Sequence, residues 1–187
     1  WTAGTGPAAA SAEAISPKGW DAVVATNLTG TWNVTRAAAD AWMLAHGGKV
    51  VNITMLTSGA FPGMVHSVAS RSGVEAMTRT LAVEWAPRHI QINCVAPGFV
   101  ASSGLRNYPE GLGVLETIQS TVPAKRLARC EEIAWAVTWL ASPAGDYVTG
   151  QVITVDGGKS LWGDWWPIAD PEDMAPLEIP SESWETD

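Results

Sequence analysis

Three features of this 187-residue chain predict an α/β fold, a doubly wound parallel sheet covered by helices on both faces. Helical apolar patterns alternate with short runs rich in β-branched residues. Each run stops at glycine or proline. A hydrophobic fraction of 47% against 16% charged residues is enough for one compact domain with its own core.

The elements follow in order. Residues 1–15 are small and alanine-rich, without a period. Ser16-Pro17 reads as an N-cap and a proline at the first helical position. Trp20, Val24, Leu28, Thr31, Thr35, Ala38 and Trp42 recur at steps of three and four, which predicts an amphipathic helix ended by His46-Gly47-Gly48. Lys49–Ile53 reads as a buried parallel strand. The stretch 54–64, broken by Gly59, Pro62 and Gly63, leads into a helix running to about Trp85. Its apolar stripe is Val74, Met77, Thr78, Leu81, Ala82 and Trp85. Ile90–Ala96 is the next strand, stopped by Pro97-Gly98.

From Phe99 to about Ala128 the chain reads as a long loop with a short helical piece near Val114–Ser120, the profile of a binding loop. Glu131–Ala141 reads as a helix with Ile133, Trp135, Ala136, Trp139 and Leu140 apolar, and Gln151–Val155 as the last strand. Three strands are few for such a sheet.

Charge excludes some functions. Residues 1–159 carry 11 acids and 11 bases, and the eight acids of residues 160–187 supply the whole net charge of -8. There is no basic footprint for nucleic acid. No apolar run approaches the roughly 18 residues of a membrane span, and the start does not read as a leader peptide. Cys94 lies inside a strand-like run and reads as a buried thiol of a reducing, cytoplasmic compartment. Cys130 has no partner at metal-ligand spacing, so no metal is expected.

Several segments together resemble short-chain dehydrogenases/reductases. They are Asn27-Leu28-Thr29-Gly30-Thr31, Val50-Val51-Asn52-Ile53, Ser70-Arg71-Ser72-Gly73-Val74, Ile92-Asn93-Cys94-Val95-Ala96-Pro97-Gly98 and Val155-Asp156-Gly157-Gly158. His66-Ser67, Leu81–Ala86 and Pro123–Leu127 are similar to the trans-2-enoyl-CoA reductase branch and to citronellol/citronellal dehydrogenases. The resemblance implies residues 1–160 as the carboxyl-terminal part of one Rossmann-type domain, and 161–187 as a tryptophan-rich, then acidic tail. It implies NADP or NAD as cofactor and a small-molecule substrate, acyl-CoA-like or terpenoid, as in fatty acid metabolism. It also implies a homodimer or homotetramer built on the helices around 21–45 and 67–85, and no nucleic-acid or membrane partner.

Two departures qualify it. The family holds the cofactor pyrophosphate on a glycine-rich turn after its first strand. Gly4-Thr5-Gly6-Pro7 is no substitute, because no apolar run precedes it and Pro7 lacks an N–H. The expectation is a chain lacking that half, or a degenerate domain retaining only an assembly surface.

The family's catalytic pattern is Asn, Ser, Tyr and Lys. Asn27 matches the first, Ser67 stands in the Tyr place and Arg71 in the Lys place; the Ser place falls on Thr54 by spacing or on Met55 by motif wording. The resemblance therefore implies Asn27, Thr54, Ser67 and Arg71 as catalytic; Tyr108, in the loop after Pro97-Gly98, is the candidate proton donor and so a fifth catalytic residue, with His66 second. It implies Gly4, Asn27, Arg71, Pro97, Gly98, Val100 and Ser102 at the cofactor, and His66, Ser67 and Tyr108 at the substrate. Plainer readings stand beside these: Asn27 as a satisfied core amide, Ser67 as a helix N-cap, Arg71 as an interface residue, Tyr108 as a packing residue.

Overall fold

The computed structural model describes residues 10–102, 113–163 and 166–173. The first helix begins as its sequence dictates. Ser16 Oγ accepts the Gly19 N–H at 3.1 Å and Pro17 opens the first turn. Helix α1 spans residues 17–46 and is interrupted by two π turns, Ala25–Thr29 and Ala39–Met43. Gly47, at φ 77°, ends it by donating to the Met43 carbonyl at 2.8 Å.

The π turns correct the expected apolar stripe. Each widens the helix locally and turns later side chains away from a 3.6-residue period. The buried positions are Asn27, Thr35, Ala39 and Met43, whereas Trp20 and Trp42 are 39% and 61% exposed. Trp42 instead stacks on His46, ring centroids 3.7 Å apart.

Three parallel strands follow in spatial order: β1 (Gly48–Ile53), β2 (Ile90–Pro97) and β3 (Val152–Val155). Val50 lies opposite Ile92 and Ile53 opposite Val95, while Pro97 lies opposite Val155. Helix α2 (Val65–Glu84) crosses from β1 to β2. Helices α3 (Val114–Thr121) and α4 (Cys130–Ala141) lie between β2 and β3.

Alternation along the strands feeds two cores. Ile90 and Ile92 pack with Ala39, Met43, Leu81 and Trp85 on the α1–α2 face. Val95 packs with Ile133 and Leu140 on the α4 face. Trp135 and Trp139 of α4, expected among its apolar positions, are 60% and 43% exposed because that helix points Ile133 and Leu140 inward.

Polar groups within the sheet are partnered, as burial demands. Asn52 Nδ2 donates to Thr78 Oγ1 at 3.0 Å, tying β1 to α2. Asn93 donates to the Val148 carbonyl at 2.8 Å and accepts from the Gln151 N–H at 3.0 Å, which fixes the approach to β3. The Cys94 thiol is fully buried, and burial pushes its pKa up to about 11. Cys130 is exposed. Among the described residues no helix is long and apolar enough to cross a membrane, and no group of three His, Cys, Asp or Glu side chains is arranged to hold a metal.

Pro97-Gly98 ends β2 as expected, and Gly98 has a further role. A Cβ there would stand 2.8 Å from Asp156 Cα, so only glycine lets the exits of β2 and β3 close on each other. We expect Gly98→Ala to destabilise the fold by about 1–3 kcal/mol, seen as a lower urea midpoint. An unchanged midpoint would mean that the two exits are not in contact.

Candidate functional site

A parallel sheet brings the chain that follows each strand to one edge, where open α/β folds place ligands. Here that edge carries Thr54 after β1, Gly98 after β2 and Asp156 after β3. The first helix enters through Asn27, which lies in the first π turn and is 4% exposed. Its side-chain amide donates to Ser70 Oγ at 3.2 Å, and Ser70 Oγ donates to the Ser67 carbonyl at 3.0 Å. Thr31 Oγ1 closes on the Asn27 carbonyl at 2.7 Å. A chain of hydrogen bonds thus joins Asn27 to the turn of α2 that presents Ser67.

Ser67 is the third residue of α2. Met64 precedes the helix and makes no side-chain cap bond, so Ser67 is not the N-cap. The Ser67 side chain is buried, with its Oγ 3.8 Å from Met55 Sδ. Met55, not Thr54, is therefore the neighbour of Ser67 at the end of β1. The Thr54 hydroxyl faces Glu75 Oε1 at 3.3 Å and the Val95 carbonyl at 3.4 Å. Thr57 Oγ1 lies 3.1 Å from each oxygen of the same buried Glu75 carboxylate. Thr54 is committed to this anchor beneath the edge. His66 is half-buried, and its Nδ1 accepts the Ser67 N–H at 2.9 Å, which leaves Nε2 as its outward nitrogen.

Arg71 lies one turn beyond Ser67. Its Nη1 donates to the carbonyl of Ile53, the last residue of β1, at 2.7 Å. Burial lowers its pKa, yet a guanidinium remains a cation. On the other side of the edge Val100 bridges Ala128, with Ala101 N–H to the Ala128 carbonyl at 2.8 Å and Ala128 N–H to the Phe99 carbonyl at 2.9 Å. Ser102, in the same loop, is half-buried. Gly4 and Tyr108 lie outside the described residues.

A cleft of about 90 Å³ opens beside β3, lined by Phe99, Val122, Ala124, Arg126, Ala128, Glu132, Val155, Asp156 and Gly157. None of the candidate catalytic, cofactor or substrate residues lines it, although Val155, Asp156 and Gly157 of the last motif and Ala124 and Arg126 of the Pro123–Leu127 segment do. Burial works to raise the Asp156 carboxyl, but the donors of Ser160 and Gly158 outweigh it and hold the pKa below its usual value. Arg126 grips Glu132 with two bonds of 2.8 Å. The Arg129 N–H gives Glu132 Oε2 a further bond at 2.8 Å, which caps α4.

Sequence reasoning missed Ser70, Glu75 and Glu132. Ser70 had a signal, since it lies three residues after Ser67 on the same helical face. Glu75 had none, because its partners Thr54 and Thr57 belong to an irregular loop.

Comparison with known proteins agrees with this architecture. The family profile described as enoyl-(acyl carrier protein) reductase matches residues 2–160. The 3-oxoacyl-[acyl-carrier-protein] reductase FabG of Thermotoga maritima is 40% identical over 74% of the chain and 56% of the relative. The peroxisomal 2,4-dienoyl-CoA reductase of Pongo abelii is 39% identical over 80% and 52%. Among solved structures, a gluconate 5-dehydrogenase from Burkholderia cenocepacia in complex with NADP and tartrate superposes with TM-score 0.77, at 32% identity over 81% of the chain and 60% of that protein. The citronellol catabolism dehydrogenase of Pseudomonas aeruginosa gives TM-score 0.70, at 38% identity over 81% and 59%. The chain thus spans little more than half the length of the curated relatives it matches.

The Glu132 clasp has a measurable signature. Its carboxyl is held down to about 2, chiefly by the Arg126 hydrogen bonds and then by the Arg129 N–H. A depressed carboxylate stabilises the fold above its unfolded pKa and loses that contribution as pH falls through its folded pKa. We expect Glu132→Gln to be less stable than the native chain at neutral pH, with the two converging as pH drops towards 2. Chemical unfolding at a series of pH values checks this; parallel curves would contradict it.

Proposed function

The chain belongs to the short-chain dehydrogenase/reductase family, a family of NAD(P)-dependent oxidoreductases, and from that premise we propose that it acts on an α,β-unsaturated acyl thioester. The observation that carries this reading is the pair Ser67 and Met55, side by side at the carboxyl end of β1. Carbonyl reduction calls for an acid of tuned pKa beside the oxygen. In the tyrosine place this chain has a hydroxyl that can only hydrogen-bond, beside an apolar thioether.

That is sufficient for an enoyl thioester, whose negative charge gathers on the thioester oxygen and is stabilised by a donor. Bound NADPH or NADH would supply the hydride for the β-carbon. The residues present fit its nicotinamide-ribose end. Arg71, with one N–H on Ile53, retains further donors suited to ribose hydroxyls, and Pro97-Gly98 ends β2 at the same edge. Among the described residues no strand is followed by the Gly-x-x-x-Gly-x-Gly turn with which the family holds the pyrophosphate.

In this reading Ser67 Oγ donates to the thioester oxygen. Asn27 and Ser70 fix the helical turn that presents it, and the Met55 thioether excludes water from its flank. Val100 and Ser102 border the nicotinamide. His66 Nε2 or Tyr108 delivers the proton to the α-carbon. NAD and NADP are both admitted, and a terpenoid enoyl thioester fits the same chemistry.

The test is substrate-dependent oxidation of NADPH and NADH by the purified chain with a trans-2-enoyl-CoA and, separately, a 3-oxoacyl-CoA. Turnover of the enoyl thioester alone is expected. Ser67→Ala should lower kcat by about 10- to 100-fold, as loss of one oxyanion donor does. Turnover of the 3-oxoacyl thioester, or an unaffected Ser67→Ala, would contradict the reading. A second reading, an assembly domain without activity, is favoured by the exposed Trp20, Trp32 and Trp42 on α1. It predicts a stable oligomer by analytical ultracentrifugation with no turnover of either substrate.

A further inference from the structure

Lys125 combines two costly features. Its backbone lies in the left-handed region at φ 56°, which a side chain rarely adopts, and its side chain is 8% exposed. A buried ammonium requires a partner. Among the described residues its partners come from the segment after β3: Asp170 Oδ1 at 3.3 Å, and the Trp162 ring with its centroid 5.9 Å away.

The same segment starts against the turn that carries Lys125. Gly157 accepts the Ala124 N–H at 3.1 Å, and the space beside Gly158 is filled by Pro123. Asp156 caps the following turn through the Gly158 and Ser160 amides, and the Trp162 N–H closes on the Gly158 carbonyl at 3.3 Å. The turn 122–128 in turn holds the loop after β2 through the bonds of Ala128 to Phe99 and Ala101.

We propose that residues Trp162 and Asp170 form a latch on Lys125, and that closing it rigidifies the turn 122–128 and, through Ala128, the loop Phe99–Ser102. The latch is a conformational device of the carboxyl-terminal segment, and it stands whether or not the chain turns over a thioester. Engaged, it orders the loop beside the cleft. Released, it frees the backbone of Phe99–Ser102 and leaves the interior of the sheet untouched. Because Asp170 sits at the exposed end of the contact, its replacement disturbs the latch without cutting into the core.

Hydrogen exchange followed by mass spectrometry on the full chain tests this, comparing the native protein with Asp170→Asn and Asp170→Lys. In Asp170→Asn the amides of 122–128 and 99–102 should exchange about two- to fivefold faster, the range expected for one partly exposed charge pair. Asp170→Lys should exceed that increase, since it sets like charges face to face. Amides of Ile92–Val95 in β2 should be unchanged in both. Exchange equal to native in both variants, or acceleration confined to residues beyond 159, would overturn the proposal.

Discussion

Everything at the candidate site depends on the parallel pairing of β1, β2 and β3. Because all three strands run the same way in register, the residues that leave them arrive at one edge instead of being shared between two. Parallel strands require crossovers, and α2 supplies the first. A helix that returns from the carboxyl end of β1 to the start of β2 must begin at that edge. Ser67 and Arg71, in its first two turns, are therefore delivered to the site by topology before any side chain makes a contact. The hydrogen bonds then refine the placement: Arg71 to Ile53, Asn27 through Ser70 to Ser67, and Thr54 and Thr57 to Glu75.

The edge divides into two chemically distinct halves. On the side of β1 lie an amide, two serines, a thioether and a half-buried guanidinium, suited to a neutral polar group and its hydroxyls. On the side of β3 lies a small cleft ringed by Arg126, Glu132 and Asp156, whose charges are already engaged with each other or with backbone N–H groups. A carboxylate satisfied by three donors, as Glu132 is, has little left for a ligand. The charged groups of this cleft are therefore spent on one another or on backbone N–H groups, whereas the cluster around Ser67 keeps Arg71 donors beyond the one on Ile53.

Much of this was legible in the sequence where a local rule decides structure. Ser16-Pro17 started α1, Pro97-Gly98 stopped β2, and the stripe from Val74 to Trp85 faced the core. The failures share a cause. The π turns in α1 change the helical period without any residue that announces them, so the stripe expected from Trp20 onward has left the buried face by Trp42. Family spacing pointed to Thr54 and motif wording to Met55, adjacent residues whose side chains leave the strand end on opposite sides. Only the position of α2 shows that Met55 meets Ser67 while Thr54 faces Glu75. The family resemblance supplied the motif slots, and the geometry shows which of these side chains touch one another.

The central claim is that the cluster at the carboxyl end of β1 is where a nicotinamide cofactor sits. The most direct measurement is a titration of the isotopically labelled chain with NADPH, and separately with NADH, followed by amide chemical shifts. Saturable shifts concentrated at Asn27, Ser67, Arg71, Gly98 and Val100, with Gln91 at the far end of β2 unmoved, are the result predicted. Shifts centred on Val122, Glu132 and Gly157 would place binding in the cleft beside β3 and contradict the account, as would the absence of any shift with cofactor in large excess.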